Sequence, residues 1–143
     1  MELFSVRGLM ENNQENVALL AQRLNAVFLR IVAMVLLVYA LQYWMRLTGF
    51  NPGPENRFDT MSEHWQIAAS VLAVLLPVAA LGLWGLFSWG IVVWFVAIAL
   101  EIGIYAGLPD LYGRADLRVV FHVLSISVYL LFRFAISVLT NKK

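Results

Sequence analysis

The stretch Trp65 to Leu100, WQIAASVLAVLLPVAALGLWGLFSWGIVVWFVAIAL, contains no charged residue, and its reading decides the fold of this chain. As a single helix it would reach roughly 54 Å at about 1.5 Å per residue, against roughly 30 Å of bilayer hydrocarbon. That is too long for one crossing. Gly85, Ser88 and Gly90 lie midway, with Trp84 and Trp89 beside them. Tryptophan favours membrane interfaces, and the Gly and Ser residues mark a turn. The stretch therefore reads as a span over about 65–84, a tight turn, and a span over about 87–107.

Two more spans flank this hairpin. One runs over about 24–44. Its charge-free part, Ile31 to Met45, is too short alone, so Arg30 must sit near an interface and snorkel to the headgroups. The other covers about 117–139 and runs into Thr140-Asn141-Lys142-Lys143. Residues 1–23 form a polar or amphipathic lead-in. Val17, Leu20, Leu24 and Val27 recur there at helical spacing, as an extension of the first span or as a docking helix for a partner.

The connections carry matching signals. Asn51-Pro52-Gly53-Pro54 stops the first helix, and Thr60-Met61-Ser62-Glu63 has the spacing of a capping box for the second. Leu108-Pro109-Asp110 ends the third, and Asp116 is placed to cap the fourth. Pro77 falls inside the second span, where neighbouring helices must compensate for its missing N–H. The predicted fold is all-α, a single transmembrane domain over residues 1–143 built as an antiparallel four-helix bundle.

Composition agrees. Hydrophobic residues make up 62% of the chain and charged residues 13%, about half the roughly 25% usual in soluble domains. Disorder, a soluble enzyme and a basic nucleic-acid binder are excluded by these proportions and by a net charge of +1. The chain has no cysteine, which removes thiol nucleophiles, disulfides and Cys-ligated metals. The polar run from Glu11 to Asn16 is unlike the apolar core of a cleaved signal peptide. An even number of spans puts both termini on one side. Arg7, Arg23, Arg30, Arg133, Lys142 and Lys143 then oppose Arg46, Arg57, Arg114 and Arg118, which favours cytoplasmic termini.

Polar residues inside spans are the informative ones, because each must find a partner away from lipid. Glu101 is the one acid within a predicted span. In a hairpin centred on Leu111 and Tyr112, residues whose numbers sum to about 223 lie at one depth, and Glu101 and His122 do so. Arg118, His122, Ser125, Tyr129 and Arg133 fall within about an 80° sector of the fourth helix. Tyr39, Gln42, Tyr43 and Arg46 share a face of the first helix, Gln66 and Ser70 lie on a small and polar face of the second, and Tyr105 sits one turn from Glu101. The expected intramembrane polar cluster is Glu101, His122, Arg118, Tyr105, Ser125, Tyr129, Gln42 and Gln66. It acts as a structural lock on helix register, as a proton or ion relay, or as an outward-open polar pocket that binds a ligand.

Ala99, Gly103 and Gly107 form a small-xxx-small ridge on the third helix, about 160° from Glu101. Either the ridge packs inside the monomer or it mates with a second copy or another protein. No hydrolase, phosphate-loop or zinc-protease motif occurs, and His64 and His122 differ in depth, so neither a catalytic residue nor a metal or other cofactor is expected.

In architecture, though in no motif, the chain resembles the short four-span proteins of bacterial inner membranes, many of which have no assigned function. That resemblance implies a multi-pass inner-membrane location. Together with the short loops it favours a non-enzymatic subunit or accessory protein that contacts other membrane proteins or a second copy of itself. A small proton-coupled transporter or channel using Glu101 and His122 is the alternative, and an enzyme acting on lipid or quinone a third.

Overall fold

The computed structural model describes residues 2–50, 58–112 and 115–140, and these are helical with no strand among them. Helix α1 spans Glu2–Leu47, α2 Glu63–Trp84 and α3 Ser88–Ile102. A π-helical segment, Gly103–Gly107, continues α3, a single turn α4 covers Pro109–Tyr112, and α5 spans Asp116–Thr140. Four of these stretches are long and apolar enough to cross a membrane.

The lead-in runs into the first span without a break, since α1 is one helix from Glu2 through Leu47. Between Gly8 and Gly49 the sequence has neither Pro nor Gly, so nothing in it would break or kink the helix. The Asn51–Pro54 turn lies outside the described residues, as do Arg57, Arg114, Lys142 and Lys143. The capping box is displaced. Ser62, not Thr60, precedes the first residue of α2, and its hydroxyl pairs with Nε2 of His64 at 2.9 Å instead of capping the helix. Asp116 is the first residue of α5 rather than its cap; the carbonyl of Ala115 accepts from Arg118 and Val119. An acid in that first turn still complements the helix dipole.

The α2–α3 hairpin closes differently from the glycine turn its sequence suggests. Phe87 N–H donates to Gly82 O at 3.0 Å and Leu86 N–H to Leu83 O at 3.1 Å, the paired bonds of a Schellman motif. The left-handed position of that motif is Leu86, with φ 57°, while Gly85 stays right-handed at φ −76°. The two glycines that matter are Gly82 and Gly90. A Cβ built on Gly82 would lie 2.4 Å from the Cα of Gly90, so this crossing exists only without side chains.

The core lies between α1, α2 and α3, around Leu36, Leu72, Leu76, Leu83 and Trp94, all fully buried. Pro77 removes one backbone donor from α2, which leaves the Ala73 carbonyl without its usual helical partner. Trp44 on α1 fills the gap, its indole N–H donating to Ala73 O at 2.9 Å.

Helix α5 leans on α1 along its length. Phe28 meets Phe132 with ring centroids 5.9 Å apart, and Tyr39 meets His122 at 6.1 Å. Numbers rise along α1 as they fall along α5, so the two helices run antiparallel and their far ends lie on one side. Tyr129 anchors the middle of α5, packing edge-on against Trp94 at 5.7 Å and near Phe95 at 6.1 Å.

Candidate functional site

Three helices meet at Glu101. Its side chain, in the last turn of α3, is 0% exposed, and each carboxylate oxygen is bonded. Oε1 accepts from the Tyr43 hydroxyl of α1 at 2.9 Å and from Arg118 Nη1 of α5 at 3.1 Å. Oε2 pairs with Nε2 of His122, one turn further along α5, at 2.6 Å. A lone carboxylate in an apolar interior is costly; here a guanidinium, a phenol and an imidazole offset that cost.

Further hydrogen bonds tie the partners of Glu101 to one another. Arg118 Nη1 also reaches the Tyr43 oxygen at 3.2 Å, and Nη2 donates to the amide oxygen of Gln42. Tyr43 and Tyr105 share a hydroxyl–hydroxyl bond of 2.9 Å. The single hydroxyl proton of Tyr43 is committed to Glu101, so Tyr105 is the donor in that pair. The Arg118 guanidinium stacks over Tyr39 at 4.6 Å and lies 5.4 Å from the Tyr43 ring and 5.8 Å from that of Tyr105. Arg118 keeps 15% of its side chain exposed, and Gln42, which accepts from it, is exposed.

His122 is the exception to this saturation. It is 0% exposed, and while Nε2 holds Glu101, Nδ1 has no hydrogen-bond partner among the described residues. The ring is wedged between Tyr39 and Phe121, which fixes its plane but offers it no polar contact.

Of the eight residues expected to form the cluster, the structure brings together Glu101, His122, Arg118, Tyr105 and Gln42. Ser125 is buried on the same stripe, but its hydroxyl donates to Phe121 O of its own helix at 2.7 Å. Tyr129 is buried one turn deeper and joins the aromatic core instead. Gln66 is elsewhere. Its amide donates to the carbonyls of Phe58 and Met61 at 2.9 and 3.2 Å, pinning the segment that enters α2. Tyr43, read from the sequence only as part of the α1 polar face, is the residue that joins the carboxylate, Arg118 and Tyr105. Its signal was present in the spacing, since it lies four residues after Tyr39 and next to Gln42.

The small-residue ridge faces away from the bundle. Ala99, Gly103 and Gly107 are exposed, and a Cβ at either glycine would meet nothing within 4 Å. Packing inside the monomer, one of the two arrangements expected for it, is therefore not found; Gly82 and Gly90 make the close helix approach instead. His64 lies in an adjoining aromatic cluster, joined to the polar one through Trp65, whose ring centroid is 6.2 Å from that of Tyr105. The His64 ring sits edge-on to Tyr112 at 5.2 Å, Trp65 contacts Tyr112 at 5.0 Å, and Arg46 stacks over Trp65 at 5.0 Å.

No curated protein and no solved structure matches the chain. A family model does match over residues 23–140, which takes in the polar cluster, α1 from residue 23 onward and the other three apolar helices. The chain belongs to DUF6163, a family of unknown function.

Proposed function

We propose that this chain is a four-span protein of the bacterial inner membrane, with both termini cytoplasmic, that acts without catalysis as a subunit or accessory protein. It works through contacts between its helices and those of other membrane proteins. The observation that carries this reading is the division of its polar and small residues. Glu101, Tyr43, Arg118, Tyr105 and Gln42 spend their hydrogen bonds on one another, whereas Ala99, Gly103 and Gly107 stand exposed on the outer side of α3. A saturated network fixes helix positions, and an open small-residue face admits a neighbouring backbone.

Extraction of the full chain from membranes in mild detergent tests the reading. A stable companion protein or homo-oligomer is expected. A strictly monomeric, partner-free chain counts against it.

One observation favours a second reading, a proton-coupled transporter or channel. The Nδ1 atom of His122 is a buried ring nitrogen without a partner beside a carboxylate, an arrangement that suits proton exchange. Proton flux into liposomes, compared between wild type and Glu101→Gln, decides it. Flux equal to empty liposomes removes this second reading.

A further inference from the structure

Helix α1 is much longer than a membrane crossing. Its 46 residues would extend about 69 Å at about 1.5 Å each, against roughly 30 Å of hydrocarbon. Among the described residues its neighbour α5 runs to Thr140. The pairs Phe28–Phe132 and Tyr39–His122 sum to about 160, which places Thr140, the last residue of α5, level with about residue 20 of α1. With the first crossing over about residues 24–44, the polar run Glu11 to Asn16 of α1 lies beyond the hydrocarbon.

The outer face of this helix carries a regular pattern. Met10, Asn13, Val17, Leu20, Leu24 and Val27 open a 3-4-3-4 alternation that runs unbroken through positions 31, 34, 38 and 41 to Met45. Every apolar member of the stripe is between 41% and 58% exposed. The buried side of α1, at Leu29, Val32, Leu36 and Tyr43, points the opposite way into the core. Along the crossing, lipid covers such a stripe. Along Met10 to Leu20 it does not, and Met10, Val17 and Leu20 are left facing water.

We infer that α1 pairs with α1 of a second copy as a parallel, two-stranded coiled coil that starts outside the bilayer and continues into it. The inference rests on the proposed mode of action through helix contacts and names the partner. A repeat of 3.5 residues held over five heptads, apolar at every position but Asn13, is the signature of left-handed supercoiling between helices. Copies inserted in one orientation present their α1 helices parallel and in register about an axis along the membrane normal. Val17, Ile31 and Val38 at a positions, with Leu20 and Leu41 at d, follow the two-stranded preference. Asn13 then meets its own copy, amide against amide. Charge is self-compatible as well. Arg23 and Arg30 fall at g positions opposite Phe28 and Val35 of the other strand, so no like charges oppose each other.

The native chain lacks cysteine, so single thiols report on this pairing cleanly. The stripe variants are Val17→Cys, Leu20→Cys and Leu24→Cys; Leu19→Cys and Gln22→Cys, also at exposed sites, are the controls. After oxidation of membranes holding the full chain, the stripe variants are expected to give roughly tenfold more disulfide dimer than the controls, because a disulfide needs Cβ atoms within about 4 Å. Equal yields at all five sites, or none at any, overturn the inference. A second measurement guards against an unproductive thiol geometry: Val17→Glu with Leu20→Glu is expected to convert the detergent-extracted dimer to monomer while circular dichroism keeps its helical signal. A dimer that survives this double substitution also overturns it. If the chain still co-purifies with a different membrane protein, the proposed function stands and only self-pairing through α1 falls.

Discussion

Replacing Glu101 with leucine removes the atom pair on which α1, α3 and α5 converge while keeping the volume of the side chain close to native. The cost follows from what is left behind. Tyr43 keeps its bond to Tyr105, and Arg118 keeps Gln42 and, being 15% exposed, can turn toward the interface. His122 loses its only partner and is left with two unpaired ring nitrogens in a fully buried position. Neutral hydrogen bonds between membrane helices contribute about 0.6 kcal/mol on average and at most about 1.7. Breaking a buried ion pair from one side costs about 3–5 kcal/mol. The partial exposure of Arg118 puts Glu101→Leu at the lower end, about 3 kcal/mol. Tyr43→Phe, which removes one hydroxyl, costs about 1 kcal/mol. Titration of the folded protein with SDS in mixed micelles, followed by tryptophan fluorescence, measures both, since buried Trp94 contacts Tyr129 of α5 and reports on its docking. In a His122→Phe background, Glu101→Leu should cost roughly half as much, because removing both partners leaves fewer orphaned groups. A loss below about 1 kcal/mol for Glu101→Leu in the native background would show that the carboxylate does not hold the three helices together.

Three further perturbations separate the features of the bundle. Gly82→Ala forces the α2 and α3 backbones apart and is expected to destabilise the monomer by about 1–3 kcal/mol, whereas Gly103→Ala, with open space around it, stays within about 0.5 kcal/mol of wild type; equal effects in the same titration would contradict the assigned crossing. Trp44→Phe should cost about 1 kcal/mol in the native chain but clearly less beside Pro77→Ala, which restores the N–H that Ala73 O lacks, and additive losses would rule out the compensation. Leu86→Gly relieves a left-handed residue and should stabilise the hairpin by about 0.5–1 kcal/mol; a loss of stability would mean that packing of the leucine outweighs its backbone strain.

The four apolar helices were legible because bilayer thickness sets a length that composition either meets or fails. The split of Trp65–Leu100 and the common depth of Glu101 and His122 follow from that same arithmetic. What faces what was not legible. Rotation about each helix axis decides whether two level residues touch, and hydropathy spacing leaves that angle loose. Thus Gln66, on a polar face, bonds the entry to its own helix, while Tyr43 proves central. The glycines misled for a related reason. Gly103 and Gly107 form the more conspicuous ridge, but the close approach depends on which helix lies opposite, and that contact is made by Gly82 and Gly90 across the hairpin. The need created by Pro77 could be read from one residue; its answer, Trp44, sits on another helix and could not. Helix α1 takes in the lead-in as an extension of the first span because nothing between Gly8 and Gly49 breaks it, and polarity alone does not end a helix.

The most direct test of the account is the mass of the full-length protein in mild detergent, measured by native mass spectrometry on material extracted without prior unfolding. A protein that acts through its helix faces is expected to appear as an assembly, either a multiple of the 16.1 kDa chain or that chain bound to another membrane protein. A single 16.1 kDa chain in every gentle extraction, with no companion, would contradict it.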